Sequence, residues 1–387
     1  MTDHSEAPQK LSPLHRVHLD AGASFTDFAG WQMPVRYTSD LAEHHAVRAA
    51  AGIFDLSHMA EISVTGQDAP AFLDFALAGK LSGVAVSQAK YSLLLDEHGG
   101  IIDDLVVYHA APAEYLVVAN AGNHDAALAA LTDRAAHFQH VEVADRSAAT
   151  ALIAVQGPRS RAILEATEGL VIADGQAGLA DLKYYWSTAA RFGQGTVFIG
   201  RTGYTGEDGF ELYVDVSDAE PLWRALVAAG EAHGLVPAGL ASRDSLRLEA
   251  GMPLYGHELG QGIVPAQAGL GRVVNFTKEG DFVGRTALET SDTTGARVLV
   301  GLAADGKRAA RAGYAVYSTD AAASDPPGEP VGVVTSGILS PTLGHPIALA
   351  YVEPHLAAPD TTLFLDVRGT RIPARVVVLP FYKREAR

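Results

Sequence analysis

The chain has 387 residues, 48% hydrophobic and 19% charged, enough apolar material for more than one core and too little polar excess for disorder beyond the termini. Its 29 Lys and Arg against 45 Asp and Glu leave a formal charge of −16, which works against nucleic acid or an anionic membrane surface as partner. The absence of cysteine excludes disulfides, thiolate metal sites and cysteine nucleophiles, and fits a reducing compartment.

Residues 1–12 read as a loose polar tail without the basic start and apolar core of a secretion signal. No apolar run reaches membrane-spanning length, so a cytoplasmic location is the expectation. A short helix is expected over 14–21, and FTDFAGWQMPVRY, residues 25–37, reads as extended, punctuated by Gly30 and Pro34. Residues 40–51 have the makeup of a helix with Asp40 as N-cap and Gly52 closing it. Short strands around 53–55 and 61–64 flank Ser57, His58 and Met59. A helix over 68–77 and a strand over 91–96 follow.

The least ordinary stretch of this half is GGIIDDLVVY, residues 99–108, where two adjacent acids stand between a diglycine turn and a β-branched run. Period-two alternation puts Asp104, Val106 and Tyr108 on one strand face and Asp103, Leu105 and Val107 on the other. A lone carboxylate on an apolar face is costly to bury unless something pairs with it. One acid is therefore expected to face solvent and the other a pocket, with a solvated hairpin corner as the plain alternative. The strand over 115–119 pairs naturally with this one and ends at Asn120, whose amide can reach a ligand. The same strand and helix order resumes after 151–155, which indicates α+β layering.

In the second half, RTGYTGEDGFEL, residues 201–212, packs three glycines and two threonines around Tyr204 and runs into a strand that starts near Glu211. Such a loop lets backbone approach a ligand, although glycine-rich hairpins are common and the dinucleotide pattern G-x-G-x-x-G is not met. PAGLASRDSLRLEAGMPLYG, residues 237–256, contains a helix beginning near Ser242 and stopping at Gly251. Arg243 and Arg247 fall one turn apart on one face. An arginine in the first turn opposes the helix dipole, so Arg243 either holds an anion or is salt-bridged to nearby acids. After a short helix over 286–289, the chain from 297 onward reads as short alternating strands, a separate all-β domain, with 323–329 as an exposed loop.

FAGWQMP, DLSHM, GGIIDDLVVY, RTGYTGEDGFE, ASRDSLRLEAGMPLYG, TSG followed by SPTLG, and the terminal PFYKR together resemble the T-protein family of the glycine cleavage system, the aminomethyltransferases. The resemblance runs from about Leu14 to Arg384 in the family's order and spacing. It implies an α+β protein of three domains in a cloverleaf around a central folate-binding hole. These would be 1–150, with the acid strand, 151–290, ferredoxin-like, and 291–387, a barrel or jelly-roll-like β domain. Position by position, the family's catalytic aspartate falls on Asp104. Its tetrahydrofolate contacts fall on Met59, Tyr91, Asp104, Val106 and Tyr108, then on Val118 and Asn120, and finally on Tyr204, Glu211 and Arg243. Met252 stands where some relatives carry an aromatic residue.

The activity so implied transfers the methylene carbon of an aminomethyl group, carried on a dihydrolipoyl arm of the H-protein partner, to tetrahydrofolate with release of ammonia. The folate amine is the nucleophile, which suits a chain without cysteine and requires no metal. The protein supplies orientation, a local charge and exclusion of water. A folate-binding iron–sulfur assembly factor shares the fold but carries a signature cysteine absent here. A folate-linked demethylating oxidase needs a flavin domain that this sequence lacks. The remaining alternatives are a stand-alone tetrahydrofolate-dependent demethylase of a sulfonium or methylamine compound and a silent folate-binding scaffold, the latter disfavoured by the intact Asp104.

Overall fold

A computed structural model describes residues 9–318 and 329–384, and the chain divides into two compact units. The first comprises residues up to Ile62 with Asp145–Gly203 and Asp208–Arg243; the second comprises Ser63–Ala144, Tyr204–Glu207 and the residues from Asp244 onward.

The first unit is built on a seven-stranded sheet in the order Leu170–Ile172, Ser187–Phe192, Gly195–Gly200, Gly209–Asp215, Thr150–Gln156, Ala51–Asp55 and Leu235–Pro237. Thr150–Gln156 and Ala51–Asp55 are buried almost throughout, the outcome expected of short, nearly continuous apolar runs. Helices Ser160–Ala166 and Val216–Gly230 supply Ile163, Leu222, Trp223 and Leu226 to the same core as Ile153, Val155 and Leu212. Leu222 and Leu226 are one turn apart, which keeps a single helix stripe on the sheet.

Three local expectations are corrected in this unit. The stretch 25–37 is not one extended segment but a hairpin, Ser24–Phe28 with Trp31–Arg36, closed by Ala29 and Gly30 at φ 53 and 80, the positive-φ pair that a two-residue turn requires. Lys10–Leu11 joins its other edge in parallel, so the end of the expected tail is a strand; residues 1–8 lie outside the described residues. The helix Asp40–Ala49 is capped by Ser39, whose Oγ accepts from Ala42 N at 3.3 Å, while Asp40 sits in the first turn, where its charge suits the dipole. Gly52 is part of the strand Ala51–Asp55.

The second unit contains most of a five-stranded sheet in the order Ala89–Leu95, Ile101–Ala111, Glu114–Ala119, Ala60–Thr65, Glu142–Asp145, of which Ala60–Ile62 and Asp145 are counted with the first unit. Helices Ala69–Ala76 and His124–Ala135 contribute Phe72, Leu73 and Leu131 to its buried side. It also contains a closed barrel of Val298–Ala304, Pro346–Val352, Gly332–Leu339, Ala315–Tyr317, Thr362–Val367 and Thr370–Val377. Alternate residues of these strands, among them Leu302, Ala350, Leu363, Leu365 and Val376, fill the barrel core. The chain is thus α+β with an all-β C-terminal barrel, as the change of patterning near 297 indicated. The loop expected over 323–329 lies, except for Glu329, outside the described residues. Among the described residues no helix is long and apolar enough to cross a membrane.

Candidate functional site

The acid strand Ile101–Ala111 lies between Ala89–Leu95 and Glu114–Ala119. The turn that delivers it needs both glycines. Gly99 has φ +82, and a Cβ at Gly100 would lie 2.1 Å from the Gln261 carbonyl oxygen. Asp96 Oδ1 accepts from the backbone N–H of His98 and of Gly100, each at 2.8 Å.

Register then aligns the candidates. Tyr91 faces Val106, and Val106 faces Val118, so the three form one row across three strands. Asp104 stands one step along that face, opposite Leu93, and Asn120 follows two residues after Val118 at the end of its strand. Asp104 and Val106 are half-buried, while Asp103, Leu105 and Val107 on the other face are buried. The expected split into one solvent-facing and one pocket-facing acid is therefore corrected: Asp103 is 0% exposed and the more open acid is Asp104. Tyr108 continues the Asp104 face in register but is also 0% exposed.

Two groups hold the Asp104 carboxylate. The Tyr91 hydroxyl donates to Oδ2 at 2.9 Å, and Asn120 Nδ2 donates to Oδ1 at 2.9 Å. Burial raises the Asp104 pKa, and the bonds from Tyr91 and Asn120 oppose that rise. Asp103 accepts from Asn120 N at 3.0 Å, Asn120 Nδ2 at 2.8 Å and Asn123 Nδ2 at 2.6 Å. Burial, with the neighbouring Asp104 charge, raises Asp103 to about 7 against those donors. Tyr255 is close enough for burial and then Asp103, Asp104 and Asp96 to raise its phenol. Its ring and that of Tyr91 pack on the same cluster of Leu93, Leu95, Leu259 and Phe282. Tyr204, also in the second unit, donates its hydroxyl to the Pro253 carbonyl at 2.5 Å. That bond anchors the ring through its oxygen.

Met59, Glu211 and Arg243 belong to the first unit. Glu211 is half-buried in the strand Gly209–Asp215 and accepts from Thr202 Oγ1 at 2.5 Å. The loop before it is clamped by Arg201, whose Nε and Nη2 reach Asp208 at 2.8 and 2.7 Å. Two of its three glycines serve packing. A Cβ at Gly203 would lie 2.0 Å from Gln156 Oε1, and one at Gly209 would lie 2.3 Å from Gln156 Nε2. Arg243 is half-buried in the helix Leu240–Glu249, two residues ahead of the expected start at Ser242. The two arginines of that helix diverge. Arg247 is 1% exposed and, in the second unit, bonds Asp244 at 2.8 Å, Glu258 at 3.0 Å and Ser336 at 2.7 Å. It is a structural ion pair, whereas Arg243 stays partly open.

Sequence reasoning named His58 without giving it a role and did not single out Asn123 or Tyr255. His58 is buried beside Met59 with its ring edge-on to Phe28 at 5.3 Å. Burial holds its imidazole down at about 4, Arg243 adding to the effect and Asp55 opposing it. The loop carrying Met59 is pinned behind it. Asp55 accepts from Ser12 Oγ, from Ser57 N at 2.9 Å, and contacts His18 Nε2 at 2.8 Å, while His18 Nδ1 meets the Tyr37 hydroxyl at 2.9 Å. The signals available were the quoted motifs themselves, which contain His58 and Tyr255, and the three-residue spacing of Asn120 and Asn123 across a 3-10 turn.

The comparisons with known proteins agree over nearly the whole chain. The model of the GCVT N-terminal domain matches residues 14–278, and that of the glycine cleavage T-protein C-terminal barrel domain matches residues 297–383. An aminomethyltransferase of Cutibacterium acnes is 59% identical over 376 residues, covering 97% of this chain and 99% of the relative. One of Streptomyces avermitilis is 52% identical over 386 residues, with 98% and 99% covered. The crystal structure of the glycine cleavage system aminomethyltransferase T from Bartonella henselae superposes with a TM-score of 0.85 at 36% identity, covering 97% of this chain and 98% of that one.

Proposed function

The chain belongs to the glycine cleavage T-protein family of aminomethyltransferases, and from that premise we propose that its aminomethyl donor is a dihydrolipoyl arm on a lipoylated H-protein and its acceptor tetrahydrofolate. The observation that carries this reading is the half-buried Asp104 carboxylate, held by Tyr91 and Asn120 one step along the same sheet face from the row Tyr91, Val106, Val118. A mostly apolar sheet face with a fixed acceptor beside it suits a planar heterocycle that presents N–H donors along one edge. Tetrahydrofolate, when bound, supplies the amine that attacks the methylene carbon.

The chain's own groups do the rest. Tyr91, Val106 and Val118 form the wall, Asn120 orients the carboxylate, and Asp104 accepts from the pterin and steadies positive charge as the carbon leaves sulfur. Tyr204 offers a ring held by its hydroxyl. Met59, Glu211 and Arg243 are proposed as further folate contacts, Glu211 as an acceptor and Arg243 as a forked donor. Tyr108, being closed over, supports the wall from within. A division into 1–150, 151–290 and 291–387 and a cytoplasmic location belong to the same proposal.

The test incubates purified protein with lipoylated, reduced H-protein, ammonia and methylenetetrahydrofolate. Formation of the aminomethylated arm and of free tetrahydrofolate is expected. No reaction there, together with folate-dependent demethylation of a sulfonium or methylamine compound, would overturn the assignment.

A further inference from the structure

We propose that Asp103 is a positioning residue for the reaction: it locks the Asn120 amide, and that amide fixes the carboxylate of Asp104. The inference rests on the role given to Asp104 above. Successive strand side chains leave on opposite faces, so the two acids do not meet each other directly. They meet through a third group. Asn120 Nδ2 lies 2.8 Å from Asp103 Oδ1, 2.9 Å from Asp104 Oδ1 and 3.0 Å from the Asp104 carbonyl oxygen. All three neighbours are acceptors, so only the amide nitrogen can occupy that position, and its orientation is settled by its surroundings. Its two hydrogens serve three oxygens, which ties both acids to one rigid planar group.

Asp103 grips residue 120 from both sides. It takes the backbone N–H at 3.0 Å on Oδ2 and the side-chain amide on Oδ1, while Asn123 Nδ2 braces Oδ1 at 2.6 Å. Loss of this grip frees Asn120 to rotate away from Asp104. The cost of the arrangement argues for a purpose. On the same face, Leu105 and Val107 are buried at 2% and 1% exposure, and an apolar residue at 103 would be far cheaper to bury than a carboxylate. Ionisable groups facing the pair are Tyr91 on the neighbouring strand and Tyr255, whose phenol Asp96 at the turn also raises.

A double-mutant cycle on the full chain tests this, with turnover measured on reduced lipoylated H-protein and folate affinity by calorimetry. Asp103→Asn is expected to lower kcat about 10- to 100-fold, as small misplacement of a reacting group does, with folate affinity held within about threefold. In an Asp104→Asn background the same change should leave the residual turnover within about threefold, because Asp103 acts only through Asp104. Equal losses in both backgrounds, or no loss in the wild-type background, would overturn the proposal. Wild-type turnover in Asp104→Asn alone would instead remove the role of Asp104 on which it rests. Should Asp103→Asn not fold, Asn123→Ala withdraws one brace while keeping both acids. It should lower kcat about 3- to 10-fold with the same non-additivity, and independence from Asp104 there would equally overturn the proposal.

Discussion

Replacing Asp104 with Asn removes a charge and little else. Asn120 Nδ2 can only donate, whereas the Tyr91 hydroxyl can donate or accept, so the new amide settles with its oxygen toward Asn120 and its nitrogen toward Tyr91. Both present contacts, each 2.9 Å, then survive, the Asn120 bond unchanged in direction and the Tyr91 bond reversed, and the fold is kept. Under the role proposed for Asp104, the lost quantity is the attraction between its carboxylate and the positive charge that develops as carbon leaves sulfur. At about 4 Å and an effective dielectric near 20 that attraction is on the order of 4 kcal/mol, or roughly three orders of magnitude in rate. Partial exposure of Asp104 and the quality of alignment widen this to roughly two to four orders. Turnover with reduced lipoylated H-protein, beside folate affinity by calorimetry, reads the two effects apart: kcat should collapse while much of the affinity remains. Turnover within about threefold of wild type would refute the reasoning.

Arg243→Lys keeps the charge but loses the planar fork, and folate binding should weaken about tenfold; unchanged affinity by calorimetry would leave Arg243 as a partner of its protein neighbours alone. Glu61 is 0% exposed, and among the described residues neither carboxylate oxygen has a hydrogen-bond partner; burial and then Asp145 push its pKa well above 4.5. The folded state therefore binds the proton more tightly than the unfolded one, and stability falls as pH climbs from the ordinary glutamate range toward the folded pKa. Glu61→Leu escapes that loss, so its advantage in urea unfolding should grow between pH 5 and pH 8 to about 1–3 kcal/mol; an advantage independent of pH would contradict it. Lys307, Arg308 and Arg311 are exposed, with Lys307 Nζ donating to Gly344 O at 2.7 Å and Arg311 Nη1 to Gly337 O at 3.3 Å. With this run as a docking site for a negatively charged surface of the proposed H-protein partner, reversing the three charges should slow the reaction with H-protein at low salt, less so at high salt, and leave free dihydrolipoyl substrate unaffected.

What could be read from the sequence, and what could not, divides by where each residue finds its partner. The face shared by Asp104 and Val106 follows from alternation alone, and Tyr91 and Val118 fall beside them because hairpin neighbours pair in register. Alternation cannot say what lies over a face, so Tyr108, on the same side of the strand, is sealed while Val106 is not. Spacing likewise made Arg243 and Arg247 equivalent. Only Glu258 and Ser336, 11 and 89 residues further along, convert Arg247 into a buried ion pair. The glycines around Tyr204 looked like ligand-facing backbone, yet Gly203 and Gly209 are small because Gln156, on another strand, fills the space a Cβ would need. Asp103 is the sharpest case. Judged as one acid of a pair at a turn, it was free to face water; judged with Asn120 and Asn123, which a 3-10 turn brings beneath it, it is the buried end of a chain of hydrogen bonds whose other end is the Asp104 carboxylate.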